Sequence, residues 1–333
     1  MNEYTERLDK IEAALNRWLP PNLPKDIFPD VGENVTAENI RNLFEPIKDI
    51  FSRGGKRWRP LLMTLVCESL GGGDAAIPLS PLLEFPHNAS LIHDDIEDGS
   101  DERRGKPTIH KIYGIDTAIN SGAFFYFLAL SCIENAAVSG EIKNKEQIYK
   151  FWGECLRTLH LGQSIDINWH RNISIIPSID EYELMCRMKT GSLARLAVQL
   201  GASIAGASPQ TIQQLGDAAE KMGIGFQILD DVKNLTTGVP GKKRGDDIVE
   251  GKKSLPILLY MSKYPEKEKK VFYYFHMANK YGIGTPSTEE FLDILASSSV
   301  FAEAEERGHL LINEAKKVFE PYTLLDGFFN LIS

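Results

Sequence analysis

Asp94, Asp95 and Asp98 stand in a DDxxD spacing at the end of an apolar run. Ala89, Ile92 and Ile96 recur around them at a helical period. Residues four apart share a helix face, so Asp94 and Asp98 point the same way, with Asp95 turned about 100° from them. Gly99 suits the left-handed conformation that closes a helix. The carboxylates therefore belong to a last turn, where the helix dipole is negative. Two aligned carboxylates repel there unless a cation lies between them, and hard oxygen donors suit Mg²⁺, which keeps waters and shares substrate phosphates. Arg103 and Arg104 follow in a short turn, and guanidinium groups bind phosphate bidentately. Metal ligands and phosphate forks in one stretch point to a Mg²⁺–phosphoester site. The plainer alternative is a solvated acidic helix end followed by a basic turn.

Residues 225–235, GFQILDDVKNL, repeat the pattern. Asp230 and Asp231 are followed by Asn234 in the third place, and Asp230 and Asn234 share a helix face. Two such motifs on separate helices are expected to face one another across a bundle and hold Mg²⁺ around one diphosphate. Basic residues flank both. Gly54 to Pro60 reads GGKRWRP, a glycine turn with a dense cationic patch and a helix start at or near Pro60. Amides at a helix start add to anion binding. No GxxxxGK[ST] is present, so this is not a P-loop. His87 lies two turns before Asp94 on the same face, either as a core histidine or as a donor to a phosphate oxygen. Lys189-Thr190-Gly191 interrupts a helical pattern, and an expected kink at Gly191 would free carbonyls toward a developing cation. Lys242 and Lys252 lie in the loop after the second motif.

The elements that position these residues read as helices. Leu8, Ile11, Leu15 and Leu19 mark an amphipathic helix to about residue 19, closed by Pro20, Pro21 and Pro24. Thr36 caps a second helix, with Asn39 where a complete capping box has Glu or Gln. Further helices cover 61–70, 81–98, a strongly apolar stretch capped by Asp116, 146–166, 178–206 and 210–235, with more to the C-terminus. Period-two alternation is nearly absent. The reading is all-α: one large helical bundle around a central apolar cavity, with residues 1–40 as an N-terminal helix and Pro-rich loop and 41–333 as the working domain.

Composition bounds the partners. The 333 residues are 43% apolar, ample for a core, and the net charge of −9 argues against nucleic acid. Four scattered cysteines form no CxxC pair, as expected for a reduced protein without a disulfide frame or zinc site. The acidic N-terminus lacks a signal-peptide h-region, and the apolar run from Gly122 to Ile133 is too short to span a bilayer. A soluble, cytoplasmic protein with no stable membrane span is expected.

The ordered motifs GGKRxRP, HNASLIHDDIEDxSxxRRGKP, KTGSL and FQILDDxxN, then a lysine-bearing loop and EGK, resemble those of the trans-isoprenyl diphosphate synthases. HNASLIHDDIED, INSGAFFYFLAL and LHLGQSIDINWHRN are similar to the eukaryotic geranylgeranyl type. The resemblance implies Mg²⁺ ligands at Asp94, Asp98 and Asp230, supported by Asp95 and Asp231. It implies an isopentenyl diphosphate site at Lys56, Arg59, His87 and Arg104. An allylic diphosphate site is implied at Arg103, Lys189, Thr190, Gln227, Lys242 and Lys252. Asn234 departs from the aspartate common in that place, although the eukaryotic type also carries asparagine there. The reaction implied is head-to-tail condensation of isopentenyl diphosphate with dimethylallyl, geranyl or farnesyl diphosphate, in a homodimer. The Thr190 carbonyl and Gln227 amide oxygen would face the allylic cation. Ala89 and Ser90, small residues five and four before Asp94, leave room for a growing chain above a floor of Tyr126, Phe127 and His160, so a twenty-carbon product is expected. Alternatives are a farnesyl or longer-chain synthase, a class I terpene cyclase, a non-catalytic modulating subunit, and a purely structural helical protein.

Overall fold

Helix ends along the chain follow from local chemistry, and the first cap already departs from expectation. The computed structural model describes residues 4–19, 27–28, 35–138, 142, 144–238 and 243–332. Helix α1 (Thr5–Asn16) buries Ile11 and Leu15, and α2 (Ala37–Ser52) follows. Asn39 completes the capping box of α2: its Oδ1 accepts from the Thr36 amide at 3.0 Å, and the Thr36 hydroxyl accepts from the Asn39 amide at 3.2 Å. A side-chain amide oxygen satisfies the cap amide as a carboxylate would. Helix α3 (Trp58–Ser69) starts two residues before Pro60, directly after Arg57 in the left-handed region. Helix α4 (Pro81–Glu97) opens on Pro81, whose fixed φ and missing N–H suit a first turn.

The basic turn is a small antiparallel hairpin, β1 (Glu102–Arg103) and β2 (Lys106–Pro107). Its two turn residues, Arg104 and Gly105, have φ of 54° and 75°, the pattern of a type I′ turn. It is the one strand pair among the described residues, so the fold is all-α. Helices α5 (Ile109–Tyr113), α6 (Ile115–Leu128) and α7 (Ser131–Val138) come next. Gly114, not Asp116, is the cap of α6; the Asp116 carboxylate accepts from the next amide, Thr117, at 2.9 Å. The apolar stretch is longer than the run read from the sequence. Ile115–Asn135 is 21 residues at a mean hydropathy of 1.2, long and apolar enough to cross a membrane by length and composition. In the structure α6 packs on α4 and α2, as a core helix does.

Helix α8 (Lys145–Arg171) leads to α9 (Ile179–Cys186), capped by a Ser178–Glu181 box. One π-helical turn, Arg187–Gly191, separates α9 from α10 (Ser192–Ile204). Then come α11 (Pro209–Thr236), α12 (Asp246–Glu250), α13 (Leu255–Lys263), α14 (Glu268–Tyr281), α15 (Pro286–Ala296), α16 (Val300–Phe319) and α17 (Phe328–Ile332).

These elements form two compact units. The first comprises Met1–Gly153, Leu196–Gly216 and Glu320–Ile332. In its core the Phe85 ring of α4 lies 4.6 Å from Phe125 of α6 and 6.1 Å from Phe51 of α2, an aromatic wedge under the first acidic motif. Helix α1 packs on α3 and α4 and so belongs to this unit. The second unit comprises Glu154–Arg195 and Asp217–Phe319. Tyr274 stacks on Phe291 at 4.9 Å in one of its clusters, and Tyr182, Ile228, Val232 and Leu255 fill another beneath the second motif. All four cysteines are free and buried.

Candidate active site

In the first unit the last turn of α4 delivers three carboxylates. Asp94 and Asp98 are half-buried and Asp95 is wholly buried. Gly99, at φ 68°, lets the chain turn back: the Ser100 amide donates to the Asp95 carbonyl at 2.9 Å and the Gly99 amide to Ile96 at 3.3 Å. That pairing is a Schellman cap, and it fixes the aspartates to the helix end. Arg103 donates to Asp95 Oδ1 through Nε at 2.8 Å and through Nη2 at 2.5 Å, and stands 3.6 Å from Asp94. The hairpin thus braces the motif, and Asp95 is held by a basic side chain.

Arginines crowd the flank of this motif. Arg57 and Arg104 are the two described non-glycine residues with positive φ, 49° and 54°. Such backbone costs about 1–3 kcal/mol per residue and gathers at functional sites. Arg57 explains its own conformation. It pairs with buried Glu84 at 2.7 Å and Glu12 at 2.6 Å, donates to the Phe51 carbonyl, and lies over the Phe51 ring. Gly55 makes room, since a Cβ there would meet Arg57 Nη1 at 3.0 Å. Arg104 is held by neutral oxygens, the Gly54 carbonyl and Asn88 Oδ1 at 3.3 Å among them. Arg59 is buried over the Trp58 ring. Lys56 is exposed and donates to the Leu331 carbonyl at 3.4 Å. His87 sits half-buried within this field. Burial first, then Arg59, Arg104, Arg103 and Arg57, hold its imidazole well below the usual histidine range. A neutral histidine ringed by guanidinium groups is a place prepared for an anion.

The length-setting candidates separate. Ala89 is buried, and the Ser90 hydroxyl donates to the His87 carbonyl at 2.8 Å. Tyr126 is buried, its ring 5.8 Å from His93, and burial followed by Glu97 and Asp94 pushes its phenol up. Phe127 is 67% exposed, because consecutive helical residues turn by about 100° and Tyr126 takes the inward place. His160 is also exposed, its Nδ1 bonded to the Leu156 carbonyl at 2.8 Å. Of the three expected floor residues the single chain encloses Tyr126 alone.

In the second unit the motif lies near the end of α11. Asp230 is half-buried, and Asp231 is buried and braced by neutral donors. The Tyr182 hydroxyl donates to Asp231 Oδ2 at 2.6 Å and Gln227 Nε2 to Oδ1 at 2.8 Å. Burial pushes the Asp231 carboxyl up to about 6, against both hydrogen bonds. The amide oxygen of Gln227 is taken by the Thr190 hydroxyl at 2.7 Å. Asn234 is engaged by another element. Its Oδ1 accepts from the Asp247 amide at 3.2 Å and its carbonyl from Gly245 at 3.0 Å, so it anchors the start of α12.

The break at Lys189-Thr190-Gly191 is the π-helical turn, and glycines permit it. A Cβ at Gly162 would meet the Lys189 amide nitrogen at 2.6 Å, and one at Gly223 would meet Gly191 Cα at 2.7 Å. Helices α8 and α11 therefore press on the turn from their own backbones, and inserted π turns of this kind recur at functional sites. Lys189 pairs with Asp166 at 2.6 Å, and Lys252 pairs with Glu250 at 2.6 Å. Lys242 lies outside the described residues.

Residues 40–281 match the polyprenyl synthetase family. The chain belongs to that family. It is a prenyltransferase, a trans-prenyl diphosphate synthase by membership. It is 34% identical over 280 residues to geranylgeranyl pyrophosphate synthase 3, chloroplastic, of Arabidopsis thaliana, covering 81% of this chain and 76% of that protein. It is 32% identical over 290 residues to the geranylfarnesyl diphosphate synthase of Aeropyrum pernix, covering 84% and 87%. The crystal structure of a geranylgeranyl pyrophosphate synthetase from Pyrococcus horikoshii superposes with a TM-score of 0.82 at 26% identity, over 98% of this chain and 95% of that one.

For this prenyltransferase the donor set suits Mg²⁺. Among the described residues no three His, Cys, Asp or Glu side chains gather as a cage. A pair of aspartates on one helix face leaves coordination places for water and phosphate oxygens, as Mg²⁺ prefers. Sequence reasoning missed Arg57, Glu84, Asp166, Tyr182 and Lys253. Asp166 and Tyr182 reach the site residues Lys189 and Asp231 through an ion pair and a hydrogen bond, Arg57 and Glu84 pair with each other beside the basic flank, and Lys253 bonds to backbone carbonyls, contacts that spacing in one sequence does not show.

Proposed function

We propose that this prenyltransferase condenses isopentenyl diphosphate with allylic diphosphates, up to farnesyl, and releases geranylgeranyl diphosphate. The observation that carries the two-substrate reading is the cluster of Arg57, Arg59 and Arg104 gathered around His87 on the flank of the first motif. A terpene cyclase binds one diphosphate and has no use for a second cationic pocket. Each diphosphate ester carries roughly −3. Arg59, His87, Arg104 and Lys56 bind the diphosphate of isopentenyl diphosphate and orient its double bond as nucleophile. Lys189, Lys252, Lys242 and Arg103 bind the allylic diphosphate, and preorganised positive charge there stabilises the leaving group as its C–O bond breaks. Asp94, Asp98 and Asp230 would hold Mg²⁺, which supplies charge neutralisation on the allylic diphosphate. Gln227 is oriented by Asp231 and Thr190, which holds its dipole ready beside the developing cation. The released diphosphate takes the last proton, so no side-chain base is required.

Small Ala89 and Ser90 support a product beyond fifteen carbons. We further propose a homodimer, supported by the exposed apolar stripe of Ile115, Ile119 and Phe127 on α6. Buried free thiols fit a reducing compartment, and we propose the cytoplasm. The test is incubation of the purified protein with Mg²⁺, labelled isopentenyl diphosphate and each allylic diphosphate, beside a chelator control. A linear twenty-carbon diphosphate is expected. A fifteen- or twenty-five-carbon product would overturn the chain length, and a cyclic hydrocarbon or silence would overturn the reaction.

A further inference from the structure

Lys253 turns inward where a surface loop lysine would turn out. It is 4% exposed, and its ammonium donates to the carbonyls of Trp169 at 2.6 Å and Gly251 at 2.9 Å. The Phe275 ring of α14 lies 5.3 Å away. Trp169 belongs to the last turn of α8, where carbonyls lack helical partners and the dipole is negative. Gly251 closes α12 at φ 75°, and a Cβ there would meet the His170 carbonyl at 3.2 Å, so this turn lies hard against the end of α8. The Lys252 amide donates to Asp247 at 2.8 Å within the same turn. Helix α8 also carries Asp166, the partner of Lys189. One helix end therefore anchors two lysines: Lys189 through Asp166, and the Lys252 turn through Lys253.

We propose that Lys253 is a positioning residue that pins the 246–254 turn to the end of α8 and so sets Lys252 against the allylic diphosphate. This rests on the role given to Lys252 above. Charged groups around it are Asp166 on α8 and its chain neighbours Glu250 and Lys252; α14 offers the Phe275 ring. Burial pulls the Lys253 ammonium down to about 8, with Asp166 opposing. The clamp is charged at neutral pH and loses its proton as pH climbs past 8.

The experiment uses the full chain with K252M, K253M and K253R, and follows KM for each substrate from pH 7 to 9.5. K253M is expected to raise KM for the allylic diphosphate about tenfold, the scale of a small misplacement, and to leave that for isopentenyl diphosphate within about twofold. In the wild type the allylic KM should climb above pH 8, and K253R, charged throughout, should remove that climb. Should K253M fail to fold, the K253R profile decides. A raised allylic KM in K252M with an unaltered alkaline climb in K253R would overturn the clamp. No change in K252M would overturn the role of Lys252 instead.

Discussion

The two acidic motifs share a spacing and differ in what braces them. In the first, Asp95 is buried against a guanidinium, with Arg103 at 2.5 and 2.8 Å. In the second, Asp231 is buried against the hydroxyl of Tyr182 and the amide of Gln227. One motif is held by charge and the other by neutral dipoles. The consequence shows in the carboxyl itself: desolvation without a contacting cation pushes Asp231 up to about 6. The middle aspartate of each motif is thus engaged in a bond inside its own unit, which leaves Asp94, Asp98 and Asp230 as the half-buried carboxylates proposed for the metal.

The sharpest way to break this contrast is to remove the cation. Arg103→Met leaves Asp95, wholly buried, without its counter-charge, and should cost about 3–5 kcal/mol of stability in urea unfolding. Tyr182→Phe removes one of two hydrogen bonds to Asp231 and should cost less, about 1.5–3 kcal/mol. Equal losses would show that the braces are energetically alike. Asn234→Ala should next cost about 1–3 kcal/mol by orphaning the Asp247 amide. Metal affinity in that variant, followed by titration with Mn²⁺ as a probe, should stay near wild type. A large fall in affinity would return Asn234 to the ligand set.

How far the sequence reaches can be seen at particular residues. The helices around Asp94 and Asp230, the Gly99 cap and the break at Gly191 were all legible, because period, capping chemistry and glycine conformation are local. Asn39 was misjudged because an amide oxygen replaces the expected carboxylate in the box. The exposure of Phe127 in the single chain was not legible because a run such as FFYF carries no phase: neighbouring aromatics cannot all face inward on a helix. The braces were invisible for another reason. Tyr182 and Asp231 are 49 residues apart, and Arg57 and Glu84 are 27 apart. Only the packed backbone brings such pairs together.

The smallest expected effect separates the two regions by sign. His87 is held well below its ordinary 6.5 by burial and four arginines. Below that pH the unfolded chain takes up a proton that the folded one refuses. The contribution of His87 is therefore present above pH 6.5 and is lost as pH falls from there, at no more than about 1.4 kcal/mol per unit. Asp231 runs the other way. Its folded carboxyl is raised from 3.8 to about 6, so the native state binds the proton first and gains stability as pH falls through that window. Unfolding of the chelated protein at pH 7.5 and 5.5, beside His87→Gln, isolates the histidine share, since both proteins keep Asp231. The wild type should lose more than the variant over this span. Added pyrophosphate should shrink the difference by offsetting the arginine field. Parallel losses in the two proteins would show that His87 is not held below its ordinary value, and a difference that pyrophosphate leaves unchanged would remove His87 from the proposed anion pocket.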